Sequence, residues 1–296
     1  MAPLSNENST PVTFLADDGY ELCGTYVSCP TPTPRPPVLI CPATGVKQTF
    51  YLPFATWLGA NGHPVLVFDY RGIGTSLARN DLKACRARKQ DWGEQDMPAA
   101  LNWLLRQTGQ KQAILIGNSA GAQLVGLMPN HKAISHLIAV SASSGYVGNV
   151  RLSMRLFAFF FVWIYIPLTV WLLGYLPAKR IGWGENLPAG VARQWARWCR
   201  HPGYVENDFN KSIKQNYFKD LTFPVSLVYA EDDPLATRKN VDDWLRLLPA
   251  APRDIVLLRP EEFGGQKIGH IDMFRQSRSA IWQRLLALTD RSKEQD

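Results

Sequence analysis

Short runs dominated by apolar, β-prone residues recur along this chain with helical spacing between them, and that alternation limits the folds open to it. The runs are residues 38–41, 64–69, 113–117, 136–141, 225–230 and 254–258. Residues 50–60, 91–107, 120–128, 241–248 and 271–288 carry helix-like apolar spacing. Strands that are apolar on both faces must be covered on both, so the pattern predicts an α/β fold with a mostly parallel sheet between helical layers. Residues 12–28 read as a preceding hairpin around Asp17-Asp18-Gly19, followed by a Pro/Thr linker at 30–37. The pattern breaks off near residue 145 and resumes near 220. The expected division is therefore a core of residues 1–144 and 220–296 with an inserted helical cap at 145–219. A chain of 296 residues, 46% hydrophobic and 19% charged, suits one large domain with an insertion. No repeat points to a solenoid.

In such sheets ligands bind beyond the carboxyl ends of the strands. One of those ends carries Gly117-Asn118-Ser119-Ala120-Gly121, the pattern G-x-S-x-G. By chance alone it would arise in roughly one chain in ten of this length. Its setting decides: Ala113-Ile-Leu-Ile is apolar and β-prone, and Ala120 opens a helical stretch. A serine on a tight strand-to-helix turn is lifted above the sheet, and the turn closes only if the residues two away are small. Ser119 is the expected nucleophile.

A serine hydroxyl needs a base, and the base needs an orienting acid. Tyr229-Ala-Glu-Asp-Asp-Pro234 follows an apolar strand, so Glu231, Asp232 and Asp233 would all emerge at the edge that holds Ser119. Asp233, immediately before Pro234, is the expected acid, and the other two are read as solvated loop carboxylates. Among the histidines after Ser119, His131 and His136 come too early and His201 lies in the insertion. Only His270 follows the acid, between the last strand and the last helix, and it is the expected base. The developing oxyanion needs backbone N–H donors. Ala120 supplies one by position. The loop Pro42-Ala43-Thr44-Gly45 supplies the other, with Thr44 preferred and Gly45 close behind. This chemistry calls for no metal and no cofactor.

These residues resemble the α/β-hydrolase superfamily, and the resemblance covers nearly the whole chain. Phe68-Asp69-Tyr70-Arg71-Gly72-Ile-Gly-Thr-Ser76 is similar to the D-x-R-G-x-G-x-S loop of the serine-aminopeptidase-like and monoglyceride-lipase-like branch. The resemblance implies an α/β-hydrolase fold, an ester-cleaving enzyme, and a triad at Ser119, Asp233 and His270. Thioesterase and acylglycerol lipase activities are the neighbouring alternatives, and a non-catalytic ligand-binding or membrane-associated protein is the alternative of another class. Two departures stand out. The His-Gly usual in the oxyanion loop is Pro42-Ala43 here. The insertion, with Leu176 to Pro188 and Trp195 to Arg200, looks like that of a poorly characterised bacterial hydrolase group. No carboxylate pair for a substrate amine is apparent.

Residues 156–177 run 22 positions without a charge, long enough to cross a membrane. A single crossing would separate strands that must share one sheet, and Pro167 is expected to divide the run into two helices. The expected structure is a cap over Ser119 that favours a small-molecule substrate with an apolar acyl group, with peripheral membrane contact as a further use. The charge is uneven. Residues 151–219 hold ten Lys/Arg against three Asp/Glu, which accounts for the whole net charge of +7. Such a segment is either a solvated basic face or a surface for anionic substrates and lipid headgroups. No recognition motif accompanies it, so nucleic acid is not an expected partner. The five scattered cysteines form no C-x-x-C pair and imply neither a disulfide framework nor a zinc site. The opening residues show no basic and apolar leader pattern, so a cytoplasmic location is expected.

Overall fold

The computed structural model describes residues 8–31 and 34–290. The opening residues 1–7, read above for a leader, and positions 32 and 33 of the linker lie outside them. Ten strands follow in order: β1 (Ser9–Leu15), β2 (Glu21–Val27), β3 (Val38–Cys41), β4 (Val65–Phe68), β5 (Ala113–Asn118), β6 (Ile134–Val140), β7 (Tyr175–Leu176), β8 (Leu187–Pro188), β9 (Val225–Ala230) and β10 (Arg253–Leu258). Eight of them form one sheet in the order β1-β2-β4-β3-β5-β6-β9-β10. The β1–β2 and β2–β4 pairings are antiparallel and the other five parallel. β3, β4, β5 and β9 are buried along their whole length, which is why they are apolar on both faces. Two apolar clusters result, one on each side of the sheet.

Several elements differ from their local reading. The stretch expected to be one last helix at 271–288 begins as two tight turns, Asp272–Phe274 and Gln276–Arg278, and only Ser279–Asp290 is α-helical. The helix after β5 is short. It spans Ala120–Gln123 and continues as a tighter turn, Val125–Leu127. There the Phe218 ring packs so closely on Gly126 that a Cβ would lie 2.3 Å from it.

Pro167 does not divide the apolar run. Leu152–Phe160, a π-turn at Phe161–Tyr165 and Ile166–Leu173 form one continuous helix of 22 residues. A proline in mid-helix lacks its N–H and crowds the carbonyl four residues back. The wider π-turn just before Pro167 absorbs both defects. The same arrangement recurs at Pro98, preceded by a π-turn at Trp92–Asp96.

The insertion returns to where it left. β9 pairs directly with β6, from Leu137 opposite Val225 to Val140 opposite Val228. The short β7–β8 hairpin rests on the loop after β4, with Pro188 against Gly72, where a Cβ would lie 2.5 Å from the proline ring. That loop is held internally. Asp69 accepts hydrogen bonds from the Gln48 and Thr75 backbone N–H groups at 2.8 and 3.0 Å. Arg71 bridges Asp96 and Asp18 at 2.6 Å each. The D-x-R-G-x-G-x-S pattern thus joins the antiparallel edge of the sheet to its parallel part.

Candidate active site

Ser119 sits between β5 and the following helix with φ +49° and ψ −107°, a conformation that side chains rarely adopt. Its own N–H is tied to the Val140 carbonyl at 2.8 Å. The flanking glycines are required sterically. A Cβ on Gly121 would lie 2.0 Å from the Cys41 carbonyl oxygen, and one on Gly117 would lie 2.4 Å from the Ala122 nitrogen. The turn closes only because β3 and the helix approach backbone to backbone.

Asp233 and His270 come from the far half of the chain and pair with each other beside the cavity that Ser119 borders. Asp233 follows β9, and its buried carboxylate accepts the Leu235 and Ala236 N–H groups at 2.8 and 3.0 Å through one oxygen. The other oxygen lies 2.7 Å from His270 Nδ1. Burial pushes the Asp233 carboxyl up, but the neighbouring His270 and these hydrogen bonds outweigh it and hold the group below the usual carboxylate range. Ser119 and His270 border the same cavity of about 300 Å³. No direct hydrogen bond joins them among the described residues, and such contacts commonly tighten only around a substrate.

The neighbouring acids take other places. Asp232, read from sequence as a solvated carboxylate, accepts the backbone N–H groups of Ile268 and Gly269 at 2.9 and 3.0 Å. It clamps the segment that delivers His270. The backbone carbonyl of Glu231 accepts a hydrogen bond from Arg151, at the start of the insertion. His131 packs at a tilt against Tyr217, His136 bonds the Ser226 hydroxyl, and His201 is exposed, so none of them approaches Ser119.

The loop after β3 is positioned by the elbow itself. The Ala43 N–H donates to the Tyr51 hydroxyl at 2.9 Å, and that hydroxyl donates to Asn118 Oδ1 at 2.8 Å. Ala43 is thereby occupied, and the N–H groups of Thr44 and Gly45 remain without a partner among the described residues. Gly45 faces the insertion instead: its carbonyl accepts the Glu185 N–H at 2.7 Å. Thr44 and Ser119 both border the cavity. Ala120, at the start of its helix, has an N–H that makes no intrahelical bond.

Lys89 escaped the sequence reading. It is wholly buried, donates to the Thr44 hydroxyl at 2.5 Å, and lies over the Trp92 and Trp195 rings at 4.5 and 5.6 Å. Burial pushes its ammonium down to about 7. Burial pushes the nearby Cys199 thiol up to about 12. Between Arg88 and Gln90 a lysine reads as surface charge, and no local pattern distinguishes it.

The roof of the cavity comes from the long helix of the insertion. Met154, Ala158, Phe161 and Val162 face inward, beside Trp183 and Trp195. Among the described residues no group of three His, Cys, Asp or Glu side chains is placed to hold a metal.

A sequence model of the alpha/beta hydrolase family matches residues 38–271, which include Ser119, Asp233 and His270. The chain belongs to the alpha/beta hydrolase family. No curated protein sequence matches this hydrolase. Solved structures similar to it include the hypothetical protein PA2218 from Pseudomonas aeruginosa, 15% identical, with a TM-score of 0.66 over 98% of this chain and 95% of that one. The Pyrococcus furiosus esterase Pf2001 is 16% identical, with a TM-score of 0.57 over 96% and 92% of the two chains. The esterase domain of a Rhodothermus marinus protein is 16% identical, with a TM-score of 0.57 over 96% and 98%. At these identities the likeness is one of fold. Family membership supports hydrolysis as the chemistry of the site.

Proposed function

We propose that this protein is a serine hydrolase that cleaves a carboxylic ester through an acyl-enzyme on Ser119. The observation that carries the reading is the 2.7 Å contact between Asp233 and His270 beside a serine held on a strained elbow. His270 accepts the Ser119 proton through Nε2 as the serine oxygen bonds to the acyl carbon. Asp233 holds Nδ1 and stabilises the imidazolium that forms. The negative charge passes to the former carbonyl oxygen, which takes the N–H groups of Ala120 and Thr44. His270 returns its proton to the leaving alcohol as the C–O bond breaks. Water then repeats the sequence on the acyl-enzyme, with His270 taking its proton, and releases the acid.

The helical insertion acts as a cap. Its inner face is made of methionine, phenylalanine and tryptophan, which suits an apolar acyl group better than a sugar or a peptide. The esterase names of two structural neighbours agree with this reading. Thioesters and acylglycerols present the same acyl carbon, and parallel assays on them rank the leaving groups.

A fluorophosphonate probe tests the proposal. The native protein is expected to be labelled once and Ser119→Ala not at all. A native protein that resists labelling would return the fold to a ligand-binding role. A p-nitrophenyl ester series tests the acyl preference: kcat/KM is expected to rise from acetate toward medium chains, and a steady fall from acetate onward would remove the apolar acyl group from the proposal.

A further inference from the structure

Nine of the eleven large apolar side chains exposed among the described residues lie on the single helix Leu152–Leu173. Leu156 is 87% exposed and Trp171 77%. With Phe160, Trp163, Ile164 and Leu168 they recur at three- and four-residue spacing, so they form one stripe running about 22 Å along the helix. The opposite stripe roofs the cavity through Met154, Ala158, Phe161 and Val162. The helix is therefore apolar on both sides and covered on one. A patch of this extent is far larger than the scattered apolar residues of an ordinary surface.

The surrounding charge identifies what covers it. No acidic residue occurs from 151 to 184. Arg151 and Arg155 stand at the start of the helix. Lys179 and Arg180 follow its end, and Lys83 packs against Gly174 at its terminus. Arg200 lies over the Trp163 ring at 4.3 Å. Arg155, Arg180 and Lys83 have no side-chain ion pair among the described residues. A second copy of this chain docked on the same face would bring these like charges together, which costs association energy. An anionic surface with an apolar layer beneath it satisfies both the stripe and its cationic ends. A transmembrane crossing is ruled out by topology, because the strands before and after the insertion, β6 and β9, are hydrogen-bonded neighbours.

We infer that the outer stripe of this helix docks the protein on the surface of an anionic lipid bilayer, lying in the plane of the membrane with the basic residues on the headgroups. The inference does not depend on the hydrolase reading. It places the roof of the cavity in contact with the acyl layer.

Flotation of the full-length protein with vesicles tests it. The probes are vesicles of phosphatidylcholine alone and of phosphatidylcholine mixed with phosphatidylglycerol. The native protein is expected to float with the mixed vesicles, to float far less with phosphatidylcholine alone, and to lose binding as salt rises. Leu156→Ser combined with Trp171→Ser is expected to weaken partitioning about tenfold or more. Lys83→Gln combined with Arg180→Gln is expected to weaken binding to the mixed vesicles only. All four side chains are exposed, and unchanged thermal unfolding shows that the variants are folded. A native protein that stays in solution with both vesicle types overturns the inference. So does a doubly substituted protein, Leu156→Ser and Trp171→Ser, that floats as well as the native one. A native dimer that the same pair of substitutions dissolves, with no vesicle binding, assigns the stripe to a second copy instead.

Discussion

The Lys89 ammonium reaches the Thr44 hydroxyl at 2.5 Å from a site closed to water, with no carboxylate paired to it among the described residues. A cation so placed is held by hydrogen bonding and two indole faces alone. Its ordinary value of 10.5 falls to about 7 on folding. Between those limits the unfolded chain binds a proton that the native state does not, so stability rises with pH across the window. Below about 7 both states are protonated and the burial cost is complete, on the order of 5 kcal/mol at 1.36 kcal/mol per pH unit. Lys89→Met is expected to raise the unfolding temperature at pH 6 by several degrees, with the gain shrinking toward pH 10. Thermal unfolding across that range is the measurement, and parallel pH slopes in the two proteins would count against the assignment.

Asp233→Asn keeps the shape of its side chain but cannot hold the His270 ring in the same tautomer. A loss in kcat on the order of 10³–10⁴ is expected, with a much smaller change in KM. Because the Asp233 pKa is lowered on folding, its ionisation stabilises the native state above the ordinary carboxylate range. That contribution is lost as pH falls through the native value. Acid unfolding of Asp233→Asn should therefore depend less on pH than that of the native protein.

Asp232→Ala frees the Ile268 and Gly269 N–H groups that hold the His270 segment. The expected result is a tenfold-scale loss in kcat, on the order of 1–2 kcal/mol, with labelling of Ser119 slowed but not abolished. A steady-state assay beside a labelling time course separates this outcome from a purely structural loss, which would leave the activity of the folded fraction intact.

Tyr51→Phe removes the hydroxyl between Ala43 and Asn118. Two buried polar groups lose a partner, which costs about 1–3 kcal/mol in stability. The Thr44 loop also loses its anchor to the elbow, so kcat is expected to fall more than KM rises. Unchanged kcat in a destabilised variant would show that the loop is held by other means.

Gly121→Ala is the steric counterpart. The added Cβ would meet the Cys41 carbonyl at 2.0 Å, and neither backbone has room to move. Soluble expression is expected to collapse, where an exposed-loop variant such as Gly264→Ala, whose Cβ meets nothing within 4 Å, should survive with only its local strain.

The parallel sheet was readable because each central strand is apolar along its whole length, a signal that needs no tertiary information. The pairing of Asp233 with His270 near the cavity that Ser119 borders was readable because chain order and strand ends place these residues on one edge. What escaped was proximity without periodicity. Nothing local marks Lys89 as buried, since its partners Thr44 and Trp195 lie 45 residues before it and far after it. Asp232 differs from Asp233 only in which way its carboxylate turns. Pro167 does not break its helix, because a π-turn absorbs a proline that an α-helical ladder cannot. The last helix is shorter than its apolar spacing implies because Met273 and Phe274 are buried from tight turns.

The direct pairing of β6 with β9 also sets an order of events during synthesis. The nearly uncharged helix Leu152–Leu173 leaves the ribosome before β9, the strand that returns the insertion to the sheet, has been made. Roughly 60 further residues must follow, several seconds at about 5–20 residues per second. Throughout that interval the nascent chain displays a segment that, by length and hydropathy, matches a membrane anchor. The interval ends when β9 is made and pairs with β6.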